Sequence, residues 1–171
     1  MKKNDIINEY LDSFVLLNQF DSDRIPTLAL EEADLYQIDI SNAMGIIDRL
    51  KGTLIGLGEA TQLFGNKRDE SFEGILKSVE QSFGGQYLYP SVEERATNLF
   101  YFIVKNHPFS DGNKRIGALM FVWYLSMNNN LISNNNNKIN KATLVSLTIL
   151  IAQSAPSDRE LIVKLICNLI N

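Results

Sequence analysis

Two strongly apolar helical stretches, separated by a short segment bearing proline and glycine, constrain this chain more than any other feature. The first opens where Ser91 and Glu94 form a capping-box pattern. Val92, Ala96, Leu99, Phe100, Ile103 and Val104 recur at helical spacing, and Tyr101 and Phe102 widen the apolar surface. Pro108 disfavours helical geometry at His107, so this helix is predicted to stop near Asn106. A second helix is predicted from about Asn113 to Met127. Helices that are apolar on most sides belong at the centre of a fold. The pair therefore predicts an all-α domain built around two adjacent core helices.

The remaining chain is read around that pair. Ile6, Ile7, Tyr10, Leu11, Phe14, Val15 and Leu17 recur at three- and four-residue spacing, which predicts a helix over Asp5–Asn18 ended by Asp21–Arg24 and Pro26. Tyr36–Ile40 reads as a short strand. Ser41 is placed as the N-cap of a helix carrying Ile46, Ile47 and Leu50. Thr61–Arg68 reads as a loop around Gly65-Asn66, with a helix near Asp69–Phe83 and a break at Gly84-Gly85. Eight asparagines between Asn128 and Asn140 suggest a solvated loop. Asn140 caps a helix to Gln153, and Ser157 with Glu160 reads as a second capping box that opens the last helix. No internal repeat is evident, and at most one small hairpin is expected. The 171 residues suit one domain over 1–171, with 1–40 as a helical extension and 41–171 as the core.

Composition excludes several function classes. Sixteen Lys and Arg against twenty Asp and Glu give a formal charge of −4, which disfavours non-specific nucleic-acid binding. The longest apolar run, Ala118–Leu125, is eight residues, far below the roughly 20 needed to span a bilayer. No apolar signal region follows Met1-Lys2-Lys3, so a cytoplasmic protein that binds no membrane is expected. A single cysteine, Cys167, excludes an internal disulfide and a thiolate zinc site, and a single histidine excludes multi-histidine metal sites.

That histidine stands in the segment that concentrates reactive side chains, His107-Pro-Phe-Ser-Asp-Gly-Asn-Lys-Arg115. The second core helix begins there, and a helix N-terminus offers unpaired N–H groups and partial positive charge to an anion. Gly112 permits close backbone approach to a ligand. Lys114 and Arg115 add full charges, and arginine grips phosphate bidentately. Asp111 alone would repel phosphate, a conflict that a bridging Mg²⁺ removes. Imidazole titrates near neutrality, so His107 is able to accept a hydroxyl proton. Together these residues suggest transfer of a phosphate-bearing group from a nucleotide to a hydroxyl. Taken singly, each has a plainer reading: a helix end, a turn or a solvated face.

The same nine residues resemble the signature loop of the Fic/Doc proteins, HPFx(D/E)GN(G/K)R. Phe83–Ser91 and Asn98–Asn106 resemble the death-on-curing (Doc) branch. From about Asp69 onward, some three-fifths of the chain, the sequence is similar to the Fic-type domain of RhuM-like bacterial proteins. The resemblance implies His107 as the base, Phe109 as the loop's anchor in the core and Asp111 as the Mg²⁺ ligand. It implies Gly112 and Asn113 as the phosphate cradle and Arg115 as the first phosphate-binding arginine, with ATP as the co-substrate. Lys114 is the Doc-type residue, and Ala118 stands where the AMP-transferring branch has a second arginine. Phosphate transfer is therefore slightly favoured over AMP transfer. A catalytically silent module binding nucleotide or protein is the alternative.

The resemblance also implies a flap that holds a target segment by strand addition, and Gly65, Asn66 and Lys67 are its candidates. The acceptor is expected to be a hydroxyl of a target protein, with translation factors a family-level expectation. Restraint is expected either from an antitoxin partner or in cis from Thr27-Leu-Ala-Leu-Glu31, where Glu32 departs from the inhibitory pattern. RhuM-like relatives carry an additional N-terminal domain, so the chain is open to being part of a longer protein. Its oligomeric state is not legible.

Overall fold

A computed structural model describes residues 5–29, 34–133 and 135–171. The inhibitory candidate Thr27–Glu31 and its neighbour Glu32 therefore fall partly outside the described residues. Among the latter, eight α-helices and two minimal hairpins make a mainly α-helical fold, as the apolar periodicity predicts. In chain order the helices are α1 (Asp5–Glu9), α2 (Leu11–Asp21), α3 (Ile40–Gly56), α4 (Ser71–Val79), α5 (Val92–Asn106), α6 (Asn113–Met127), α7 (Lys141–Gln153) and α8 (Arg159–Ile170). The hairpins pair β1 (Ser82–Phe83) with β2 (Gln86–Tyr87) and β3 (Ile132–Ser133) with β4 (Asn136–Asn137), both antiparallel. No helix among the described residues is long and apolar enough to cross a membrane.

α5 and α6 form the hub. Phe100 stacks on Phe121 with ring centroids 4.8 Å apart, and Leu99, Ile103, Ile116, Met120 and Leu125 are buried around them. A Cβ at Gly117 would lie 2.7 Å from Cγ2 of Val104, so glycine permits the close approach of the two axes. α4, α7 and α8 pack on α5, while α3 and α7 pack on α6. The capping box is present as predicted: Glu94 N–H donates to Ser91 Oγ (3.1 Å) and Ser91 N–H donates to Glu94 Oε2 (3.2 Å). At the other end α5 stops at Asn106 because His107 turns left-handed, φ 50° and ψ 57°. Lys105 in its last turn donates to the carbonyls of Ala152 (3.4 Å) and Ser154 (2.6 Å), tying that end to the terminus of α7.

Several local expectations are corrected. Tyr36–Ile40 is not a strand. Its N–H groups find side chains instead, Tyr36 N–H donating to Asn128 Oδ1 (2.9 Å) and Ile38 N–H to Glu80 Oε1 (2.7 Å). α3 starts two residues early, with Asp39 rather than Ser41 as its N-cap. Helix α4 ends at Val79, and Gly84-Gly85 make the two-residue turn of β1–β2. The asparagine-rich stretch is more than solvated loop. Asn130 donates to Glu93 Oε1 (2.7 Å), and Asn128 ties Tyr36 to Tyr124.

Ser157 and Glu160 make no capping box. Pro156–Asp158 wind as a 3₁₀ turn, Ser157 donates to Asp158 and Glu160 pairs with Lys164. The N-terminal helix breaks at Tyr10, and its apolar face stays outside: Phe14 and Leu17 are exposed, while Phe20 packs against the core.

Candidate active site

Only six residues join α5 to α6, so the two helices meet the solvent at one end and hold the signature segment between them. Phe109 is buried and packs on Phe72 with centroids 4.9 Å apart, which confirms the anchoring expected of it. Asn113 braces the turn from the other side. Phe109 N–H donates to Asn113 Oδ1 (2.9 Å), and Asn113 Nδ2 donates back to the Phe109 carbonyl (2.8 Å). Its side chain is thus occupied within the loop, and what Asn113 offers a ligand is its backbone N–H at the start of α6.

His107, Ser110, Asp111, Gly112, Asn113, Lys114 and Arg115 line one cleft of about 350 Å³. His107 is exposed and sits in a left-handed conformation that non-glycine residues adopt at some cost, a kind of strain that clusters at functional positions. The first intrahelical bond of α6 runs from Ile116 N–H to the Gly112 carbonyl (2.8 Å), so the N–H groups of 113–115 have no carbonyl partner in the helix. Lys114 is exposed and makes no hydrogen bond or ion pair with any described residue.

Arg115 is held from three sides. Its NH1 donates to the Glu59 carbonyl (2.8 Å), its NH2 lies 3.7 Å from Asp111 Oδ2 and its guanidinium stacks 4.7 Å above the Phe64 ring. The Asp111 contact is exposed on both sides, so its strength is small. No group of three His, Cys, Asp or Glu gathers among the described residues. Asp111 is a single hard carboxylate beside an anion site. That donor set suits Mg²⁺ sharing the oxygens of a bound nucleotide rather than a cage made by protein alone.

The flap candidates stand beside this cleft without lining it. Gly65 N–H donates to the Asp111 carbonyl (3.1 Å), Ser110 N–H to the Asn66 carbonyl (2.8 Å) and Arg68 N–H to the Pro108 carbonyl (2.9 Å). The segment is therefore a turn-containing crossing that meets the signature loop at two isolated bridges, and not a hairpin; both hairpins among the described residues lie elsewhere. Lys67 turns away to pair with Glu73, whose carboxyl is held below its ordinary value of 4.5 by the Lys67 ammonium. Lys51 of α3 fixes the crossing from behind, donating to the Gln62 carbonyl (2.6 Å) and to Asn66 Oδ1 (2.8 Å).

Phe64, Glu59 and Lys51 are the residues that sequence reasoning missed. Phe64 is fully buried, yet it lies in a stretch read as a surface loop. The only signal was the neighbouring Gly65-Asn66 turn, and nothing in it points to Gly112 or Arg115.

A family model described as Fic/DOC family matches residues 39–125, from the N-cap of α3 through the signature loop to the last turn of α6. No curated protein and no solved structure matches the chain. With half of its residues inside that match, including both core helices and the cleft between them, the chain belongs to the Fic/DOC family.

Proposed function

We propose that this chain moves a phosphate-bearing group from Mg²⁺-ATP to a hydroxyl of a target protein. Fic-type nucleotidyl or phosphoryl transfer is the activity its family supports, and nucleotide and Mg²⁺ are what the family generally uses. The observation that carries the finer reading is the sharing of one cleft by the exposed His107 imidazole and the open N-terminus of α6. In the proposed step His107 takes the proton of the acceptor hydroxyl while the hydroxyl oxygen bonds to phosphorus. The bond from that phosphorus to the leaving group breaks, releasing ADP in phosphate transfer or pyrophosphate in AMP transfer. The N–H groups of Asn113, Lys114 and Arg115 orient the phosphates, and the Lys114 and Arg115 side chains stabilise the charge that develops there. Asp111 would hold Mg²⁺, which would supply charge neutralisation for the phosphates.

Phosphate transfer is preferred over AMP transfer. Lys114 adds bulk and charge beside the helix N-terminus, and Ala118 supplies no second guanidinium. The test is incubation of the protein in bacterial lysate with ATP labelled separately at the α and γ phosphates. Protein label from the γ position alone is expected. Label from the α position would assign AMP transfer instead, and label from neither would leave a binding module.

A further inference from the structure

Helices α1 and α2 carry an apolar stripe that the rest of the fold leaves outside. No residue of α2 is buried; Ile7 and Leu17 are each 62% exposed, Tyr10 is 51% and Phe14 52% exposed. The backbone carries the stripe through the break at Tyr10, whose N–H donates to the Ile6 carbonyl (3.2 Å) and whose carbonyl accepts from the Phe14 N–H (3.1 Å). Ile7, Tyr10, Phe14 and Leu17 alternate steps of three and four residues, the spacing of a coiled-coil seam. At about 100° per residue, that seam lies about 150° round the helix from Leu16, Gln19 and Phe20. Those three are the half-buried side chains of α2, and Phe20 packs against the core. The seam is therefore turned away from the domain on which α2 rests.

The residues beside a seam set what covers it. Ile6, Leu11, Ser13 and Asn18 flank this one and bear no charge, so nothing there selects a partner of opposite sign or repels a like copy. Residues 5–23 hold five acidic groups and no Lys or Arg, which an anionic lipid surface would repel. The stripe is also complementary to itself when reversed. One register sets Ile7 against Leu17 and Tyr10 against Phe14, so the four seam residues of each copy form four apolar layers. In sequence, Lys2-Lys3 precede the stripe, and Asp21 and Asp23 follow it. Reversed copies set opposite charges together at each end, whereas parallel copies set like charges together.

We propose that α1 and α2 are a dimerisation arm, pairing antiparallel with the same helices of a second copy of this chain through Ile7, Tyr10, Phe14 and Leu17. Such a pairing is isologous and closes at two copies. An arm about 25 Å long makes an interface at the small end of the specific range, so the dimer is a weak one. It rests on no part of the transfer chemistry proposed for His107.

Sedimentation equilibrium of the full chain between about 1 and 300 µM is expected to show a monomer–dimer equilibrium. Phe14→Glu and, separately, Leu17→Gln should each weaken it roughly tenfold or more. Their thermal melts should be unchanged, since both side chains stand in solvent in the single chain. Glu9→Gln, on the side away from the seam, should leave the equilibrium as it is. Orientation is read by mixing Ile7→Cys and Leu17→Cys copies of different tag length under mild oxidation, Cys167 being buried. Mixed disulfide dimers are expected. A monomer across the whole range would overturn the proposal, as would a dimer that survives Phe14→Glu and Leu17→Gln. So would disulfides formed only between like variants, or a monomeric chain that floats with phosphatidylcholine vesicles, which would assign the stripe to a lipid surface.

Discussion

The ring of Phe64 occupies the space that a side chain at Gly112 would need: a Cβ there would lie 2.5 Å from Cδ2 of Phe64. The contact gives Gly112 two reasons to be glycine, its φ of 87° and the ring against it. It also fixes Phe64 beneath the Arg115 guanidinium, so one aromatic ring sets both the turn and the cation at the start of α6.

Gly112→Ala is therefore expected to destabilise the fold by about 1–3 kcal/mol through strain and overpacking. In a Phe64→Ala background the same substitution should cost less, because only the backbone part remains. Urea unfolding of the four proteins in this cycle measures the coupling. Additive effects would show that the ring and the glycine do not communicate.

His107→Ala should leave stability and nucleotide affinity nearly unchanged, since the side chain is exposed at a helix end. Transfer should fall about 10²- to 10⁴-fold, the usual loss on removing a general base. Turnover of labelled ATP, read beside a thermal melt, checks both halves. Wild-type turnover, or an unfolded variant, removes His107 from the role of base.

Asp111→Ala removes a metal ligand and also a negative charge beside the phosphates. Calorimetry should show a larger loss of affinity for Mg²⁺-ATP than for metal-free ATP. Equal losses would reduce Asp111 to a tether for Arg115.

Lys114→Gly is expected to lower γ-label transfer and to permit a small amount of α-label transfer, because space returns and a cation leaves the helix N-terminus. Adding Ala118→Arg should raise the α-to-γ ratio further. A constant ratio across wild type, single and double variants would mean that Lys114 does not select the transferred group.

Acid should loosen the crossing beside the signature loop. Glu73 has a folded pKa depressed below 4.5 by Lys67, so the pair's contribution is present above about that pH and is lost as pH falls through the lower folded value. Protection factors at 64–68, taken against the intrinsic exchange rate at each pH, should fall below pH 4.5 in wild type, and Glu73→Gln should show much of that loss already at pH 7. A wild-type profile in the variant would exclude the pair as the cause.

Much of the site was legible because its signals are local. The Ser91–Glu94 capping box, the stop at Asn106 before Pro108 and the apolar run of α6 each depend on residues within one or two helical turns. So do the composition of 107–115 and its place at a helix start. Where such signals failed, a distant group had intervened. Tyr36–Asp39 pairs with no strand, Asn128 and Glu80 answering the N–H groups of Tyr36 and Ile38, and Ile40 already belongs to α3. Ser157 loses its cap because Pro156 winds the preceding turn.

By itself, then, the sequence determined the two core helices, the loop between them and the reactive side chains that loop carries. These follow from periodicity, caps and a nine-residue motif, all short-range properties of the chain. Only the tertiary structure decided what that loop touches. It placed Phe64 under Gly112, gave Arg115 the Glu59 carbonyl, turned the Asn113 amide inward and left the apolar face of α2 in solvent. Each of these pairings, or its absence, depends on how separate segments pack around α5 and α6, and hydrophobic spacing cannot distinguish an apolar face that finds a partner from one that does not.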